Sequence, residues 1–323
     1  MPPSPDSRWL PAHIFFNAHI YTVECDRVIL DVCEPFLRRC QAEGWIDAHF
    51  FIRYSELGPH VRFRVHGEKD VLENTVWPAL EAHVRSLYPE VRFETPDGSQ
   101  VGEGTELDGK VTHVAEIEYE PEVERYGGPN GVLLAERFFQ ASSEAAYALL
   151  QKTGAERSSR LGKGLLSMVV LVHAFASDRA HATEFAHQYG INYLRSLVRD
   201  EESRGAWLGA FGSGYDQQAE TLTEYVNEVW ERLEEGDELS EALDAWRDGL
   251  VPVREEFRAL LDDGRLLMRG SAPYTDWDTA VQAIVSSYVH MMNNRLGISL
   301  QEESYLAYLI MRAMGRPADA VTA

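Results

Sequence analysis

The stretch Pro59-His60-Val61-Arg62-Phe63-Arg64-Val65-His66 decides how the rest of the chain is read. It alternates strictly, and a β-strand sends successive side chains to opposite faces. Val61, Phe63 and Val65 are therefore predicted to enter a core. His60, Arg62, Arg64 and His66 form a row on the other face, spaced roughly 6.6–7 Å apart. A half-solvated strand with ordinary surface charges is the plainer account of such a row. The choice of residue argues against it, because the chain is strongly acidic and yet the row contains no carboxylate. Two adjacent guanidinium forks suit a carboxylate-bearing ligand.

Working outward, residues 48–54 read as a strand, and the turn Glu56-Leu57-Gly58-Pro59 joins it to the arginine strand as an antiparallel hairpin. Residues 13–23, aromatic and β-branched, read as a further strand. Asp26 is expected to cap a helix reaching about Gln41, with Val28, Ile29, Val32, Phe36 and Leu37 on its apolar stripe. Residues 70–87 read as a helix that Pro78 kinks or interrupts. Short strands follow at 91–95 and 111–119, separated by a polar, glycine-rich, mobile loop at 96–110. A turn at Gly127-Gly128-Pro129 precedes a long helix over 130–152.

Beyond Ser158 only helices are expected, at 160–177, 180–200, 216–235, 239–262, 275–296 and 301–314. The predicted class is α+β: a lobe over 1–155 with a mainly antiparallel sheet and flanking helices, then an all-helical lobe over 156–323. The two are expected to pack as one compact unit.

The 323 residues are 45% hydrophobic and 25% charged, an ordinary globular composition. The formal net charge of -22 argues against nucleic acid held on the general surface, which needs clustered Lys and Arg. A local basic pocket for an anion remains compatible with it. Cys25, Cys33 and Cys40 are odd in number and lack metal-ligand spacing, and read as small buried hydrophobes in a reducing compartment. No secretory signal or membrane-spanning run is legible, so a cytoplasmic protein is expected.

Signatures for dinucleotides, phosphates, serine nucleophiles and zinc are missing, and the reading assigns neither cofactor nor metal. Two further stretches carry candidate chemistry. In Glu122-Val123-Glu124-Arg125-Tyr126-Gly127-Gly128, an extended backbone would put Glu122, Glu124 and Tyr126 on one face. Arg125 is either aimed into a cleft or bridged to a neighbouring glutamate. In Ser287-Tyr288-Val289-His290-Met291-Met292-Asn293-Asn294, His290 and Asn294 stand four apart and share a helix face. A histidine held by a neighbour is a usable proton carrier. Ser287 and Tyr288 are candidates to line the same pocket.

Three segments, Phe50-Phe-Ile-Arg-Tyr…Gly58-Pro-His-Val-Arg-Phe-Arg64, Tyr119-Glu-Pro-Glu-Val-Glu-Arg-Tyr-Gly-Gly-Pro129 and His290-Met-Met-Asn-Asn-Arg-Leu-Gly297, occur in this order with a helical region between the last two. Together they resemble the thiopeptide-type bacteriocin biosynthesis family, the C-terminal elimination domain of lantibiotic dehydratases and its stand-alone relatives. The resemblance covers nearly the whole chain. It implies work on a ribosomally made precursor peptide of leader plus core, with glutamate expelled from glutamylated Ser or Thr to leave dehydroalanine or dehydrobutyrine. The chain is too short for the glutamylation region, so a separate glutamyl-tRNA-dependent protein is implied as a partner. No direct contact with nucleic acid or membrane is implied.

The family's glutamate-handling positions fall on Arg62, Arg64, Glu122, Arg125 and His290, with His60, Tyr288 and Asn294 as further candidates for binding substrate. The resemblance leaves open which residue is base and which is acid. It also includes pyridine synthases, which join two dehydroalanines in a formal [4+2] cycloaddition with loss of water and leader. A non-catalytic scaffold that presents the precursor is the third alternative.

Overall fold

The arginine strand lies inside a sheet of five strands. In the computed structural model, which describes residues 6–94, 108–154 and 156–316, these are β1 (Ser7–Phe16), β2 (Ala48–Tyr54), β3 (His60–Glu68), β4 (Arg92–Glu94) and β5 (Val111–Glu116). Their order is β2-β3-β1-β5-β4. All pairings are antiparallel except β4 with β5. The β2–β3 hairpin is as predicted. β1 begins and ends earlier than expected, stopping at Phe16. The expected loop over 96–110 lies outside the described residues up to 107.

Register sorts the side chains as strand geometry demands. One face carries Leu10, Ile14, Phe51, Val61, Phe63 and Val65, all buried. Helices α1 (Val23–Arg27), α2 (Glu34–Ala42), α3 (Lys69–Val71) and α4 (Trp77–Leu87) follow β1 and β3 in the chain, and Phe36 of α2 meets Phe63 edge-on at 6.3 Å. Asp26 does not cap its helix, which starts at Val23 after Thr22. Its carboxylate instead accepts from Nη2 of fully buried Arg53 at 2.6 Å, because a buried guanidinium needs a counter-charge.

Pro78 does not interrupt its helix. A π-helical turn, Leu72–Val76, widens the backbone ahead of it, and a second, Val28–Cys33, does so before Pro35. The wider turn accommodates a ring that has no N–H to donate. The three cysteines are buried and form no disulfide.

By internal contacts the chain divides into Met1–Pro121 with Ala146–Ala155, and Glu122–Ala145 with Glu156–Ala323. Helix α5 (Gly128–Gln151) contributes to both. The second unit continues with α6 (Arg157–Phe175), α7 (Arg179–Leu197), α8 (Glu201–Asp216), α9 (Ala219–Glu235), α10 (Glu241–Asp262), α11 (Trp277–Ala280), α12 (Ser286–Arg295) and α13 (Leu300–Ala313). It is not purely helical: β6 (Leu267–Met268) and β7 (Ala272–Pro273) form a small antiparallel ribbon. α8 was not anticipated, because four glycines between 205 and 214 blur its periodicity. Its start is nevertheless legible, since Asp200 accepts from the Ser203 N–H.

Candidate active site

The connection between α12 and α13 sets the geometry of the second unit's polar centre. α12 ends at Arg295 with Leu296 as its C-cap, and Gly297 takes a left-handed φ of 69° that a side chain would strain. Two arginines of α6 fasten this corner: Arg160 donates to the Leu296 carbonyl at 2.6 Å and Arg157 to that of Gly297 at 2.9 Å. Ser299 then opens α13 with a capping box closed by Glu302. The next residue, Glu303, is thereby turned back on His290 of α12.

His290 Nδ1 lies 3.1 Å from both carboxylate oxygens of Glu303. Glu303 is wholly buried and also accepts from the Tyr189 hydroxyl at 2.6 Å. Burial pushes its carboxyl above the ordinary range, against the pull of His290 and Tyr189. His290 itself remains part-exposed. In the tautomer that donates Nδ1–H to this carboxylate, Nε2 is left as the ring's lone-pair nitrogen.

The network continues to Arg125. Tyr193 packs on Tyr189 with ring centroids 4.4 Å apart and on His290 at 5.6 Å, and its hydroxyl lies within the field of the Arg125 charge. Burial, aided by the Glu303 charge, pushes the Tyr193 hydroxyl up to about 12. Arg125 Nε donates to Ser287 Oγ at 3.0 Å, and Nη1 meets both Glu122 oxygens at 3.3 Å. Burial works against its charge, yet Tyr126, Glu122 and Tyr193 hold its pKa above the ordinary value.

The backbone here is not extended. Arg125 and Tyr126 N–H groups return to the Glu122 carbonyl, and this turn places Glu122 and Arg125 side by side. The sharp reversal needs Gly127 and Gly128, with φ of 91° and 88°.

Asn294 is buried on α12, but the described hydrogen bonds of the His290 ring go to Glu303. Tyr288 lies wholly in the core, stacked on Phe138 at 4.0 Å and 9°, and its buried hydroxyl has no hydrogen-bond partner among the described residues. Sequence reasoning missed Glu303, Tyr189 and Tyr193. The Ser299-x-x-Glu302 capping signature was the available signal for Glu303. Nothing in the spacing of the two tyrosines distinguished them from core aromatics.

In the first unit, His60, Arg62, Arg64 and His66 do share one sheet face, opposite Phe15, His13, Pro11 and Trp9 of β1. The row is more enclosed than an alternating surface strand, since His60 and Arg64 are buried. The Arg62 guanidinium lies on the Tyr54 ring at 3.4 Å, and that of Arg64 on Tyr119 at 4.3 Å. His60 Nδ1 meets the Gly58 carbonyl at 2.8 Å, and Arg62 Nε reaches the opposite ring nitrogen at 3.4 Å. Burial holds His60 down at about 4 and stacked His13 at about 2, so both rings are neutral at ordinary pH, and His60 donates from Nδ1 to Gly58 while accepting from Arg62 at Nε2.

Among the described residues no cluster of three His, Cys, Asp or Glu could hold a metal, and no helix is long and apolar enough to cross a membrane.

Residues 9–314 match the family described as lantibiotic biosynthesis dehydratase C-term. The chain belongs to this family, and with it to the biosynthesis of ribosomally made, post-translationally modified peptides. Similar solved structures include TsrL, with 19% identity over 98% of both chains and a TM-score of 0.68. The pyridine synthase TbtD from thiomuracin biosynthesis gives 19% identity over 97% of this chain and 99% of that one, with a TM-score of 0.71. The tRNA-dependent lantibiotic dehydratase MibB from Microbispora sp. 107891 gives 21% identity over 97% of this chain and a TM-score of 0.62; the chain spans 28% of its length. At these identities the likeness is one of fold. Comparison with curated proteins gives no match.

Proposed function

We propose that this protein is an enzyme that eliminates glutamate from glutamylated Ser or Thr residues of a precursor peptide. The observation that carries the reading is the grouping, within one unit, of a fixed guanidinium and an anchored imidazole around Tyr193, whose ring packs on His290 at 5.6 Å and whose hydroxyl feels the Arg125 charge. Elimination needs both. His290 Nε2 takes the Cα proton, the C–H electron pair forms the Cα=Cβ double bond, and the Cβ–O bond breaks. Its electron pair leaves with the oxygen as the carboxylate of glutamate.

Glu303 offsets the positive charge that develops on His290, and Arg125, held by Glu122 and Ser287, stabilises the departing anion. Arg62 and Arg64 are retained as glutamate-binding residues on the sequence resemblance alone. The glutamylated peptide would come from a separate protein that uses glutamyl-tRNA. A coupled assay for free glutamate, run with a glutamylated-serine peptide and without ATP or tRNA, tests this. Release that Arg125→Ala abolishes supports it, and no release from the wild type overturns it.

Pyridine synthesis from two dehydroalanines is favoured by a different observation. Beside Tyr189 and Tyr193 lies a cavity of about 700 Å³ with no Lys or Arg among its lining residues. A neutral dehydrated peptide fits that lining better than an anion does. Formation of a pyridine chromophore from a bis-dehydroalanine peptide would establish this reading in place of elimination.

A further inference from the structure

The same cavity points to what lies beside the modified residue in the substrate. Its apolar wall is built by Phe185 of α7 and by Val281 and Val285, and Tyr189 and Tyr193 close the wall on the side of the His290–Glu303 network. Its charged lining residues are Glu184 and Asp278. Arg316 pairs with Glu184, and His181 stands between Asp178 and Asp278 at 2.8 and 3.6 Å, so the rim holds three carboxylates against one arginine and one histidine. An incoming carboxylate would meet like charge at the mouth and find no Lys or Arg in the lining, where the one basic group, His181, is already held by Asp178 and Asp278.

We propose that this cavity is a subsite for an uncharged apolar or aromatic residue flanking the modified position of the peptide substrate, and that its acidic rim excludes residues bearing carboxylates. This deepens the reading of the site as one acting on a peptide, and rests on it. Two tyrosines shared by the cavity and the proton-carrying network set the distance between the recognised side chain and the reacting one. Selection therefore operates on sequence next to the reacting residue.

Fluorescence anisotropy with two dye-labelled, end-blocked peptides, Gly-Phe-Ser-Phe-Gly and Gly-Asp-Ser-Asp-Gly, tests the subsite without requiring any turnover. The first is expected to bind about ten-fold or more tighter than the second. Ala283 is exposed and lines the cavity, so Ala283→Trp fills the space without disturbing the core. This variant should weaken the phenylalanine peptide about ten-fold while circular dichroism and the unfolding midpoint stay unchanged. Asp278→Asn on the rim should improve the aspartate peptide about three-fold and leave the other as it was.

Equal binding of the two peptides, binding of neither, or indifference to Ala283→Trp would overturn the proposal. Glutamate release reports separately. If the peptides discriminate and no glutamate is released, the subsite stands and the elimination reading falls. If glutamate is released with a KM unchanged by Ala283→Trp, the subsite falls alone.

Discussion

Glu303 lies 3.1 Å from the Nδ1 of His290, across the tight corner that joins α12 to α13. A wholly buried carboxylate so placed favours the tautomer that donates from Nδ1, and under the proposed mechanism leaves Nε2 to face the substrate. Glu303→Gln keeps the volume and removes the charge. Elimination should fall about 100-fold or more in kcat. Steady-state kinetics from pH 5 to 9 on a variant shown to be folded would check this. A change in KM alone would contradict it.

The capping box is expected to matter for both stability and rate. Ser299→Ala removes an N-cap and should cost about 1 kcal/mol in urea unfolding. Because Glu303 follows the cap directly, kcat should also drop, whereas a surface control such as Glu235→Ala on α9 should not lower it.

The buried Arg53–Asp26 pair holds α1 to the core face of the sheet. Asp26→Ala leaves an uncompensated guanidinium, with an expected loss of about 3–5 kcal/mol. Denaturant unfolding gives the value. A loss below 1 kcal/mol would mean that other groups satisfy Arg53.

His60 and His13 have their pKa values depressed by burial, to about 4 and about 2. The unfolded chain therefore binds protons below about pH 6.5 that the folded chain refuses. Stability from these groups is fully present above that pH and is lost as the pH falls towards 4 and below. His60 alone accounts for on the order of 3 kcal/mol by pH 4. Unfolding curves at pH 7, 5.5 and 4.5 should show the decline, and His60→Phe, which keeps the stacking, should flatten it.

Strand alternation made the arginine row, the hairpin and the core face of β3 legible, because a period of two leaves little freedom once one face is buried. Hydrophobic period placed most helices to within a few residues. Alternation could not reveal that the sheet's second face is itself enclosed, with Arg62 and Arg64 lying on Tyr54 and Tyr119, since those rings arrive from other strands and loops. Local pattern failed at Glu122-to-Arg125 for a related reason: two glycines with positive φ convert an apparent strand into a turn. The His290–Glu303 pair depends on a corner between two helices, so looking for a partner four residues along one helix found Asn294 instead.

The most direct test of the account is the mass of a peptide carrying one glutamylated serine, after incubation with the purified protein in the absence of ATP and tRNA. The account predicts conversion to the dehydroalanine peptide with one glutamate released per peptide, and an intact peptide when folded Arg125→Ala or His290→Ala replaces the wild type. A glutamylated peptide recovered unchanged, while a bis-dehydroalanine precursor is cyclised and sheds its leader, would contradict it.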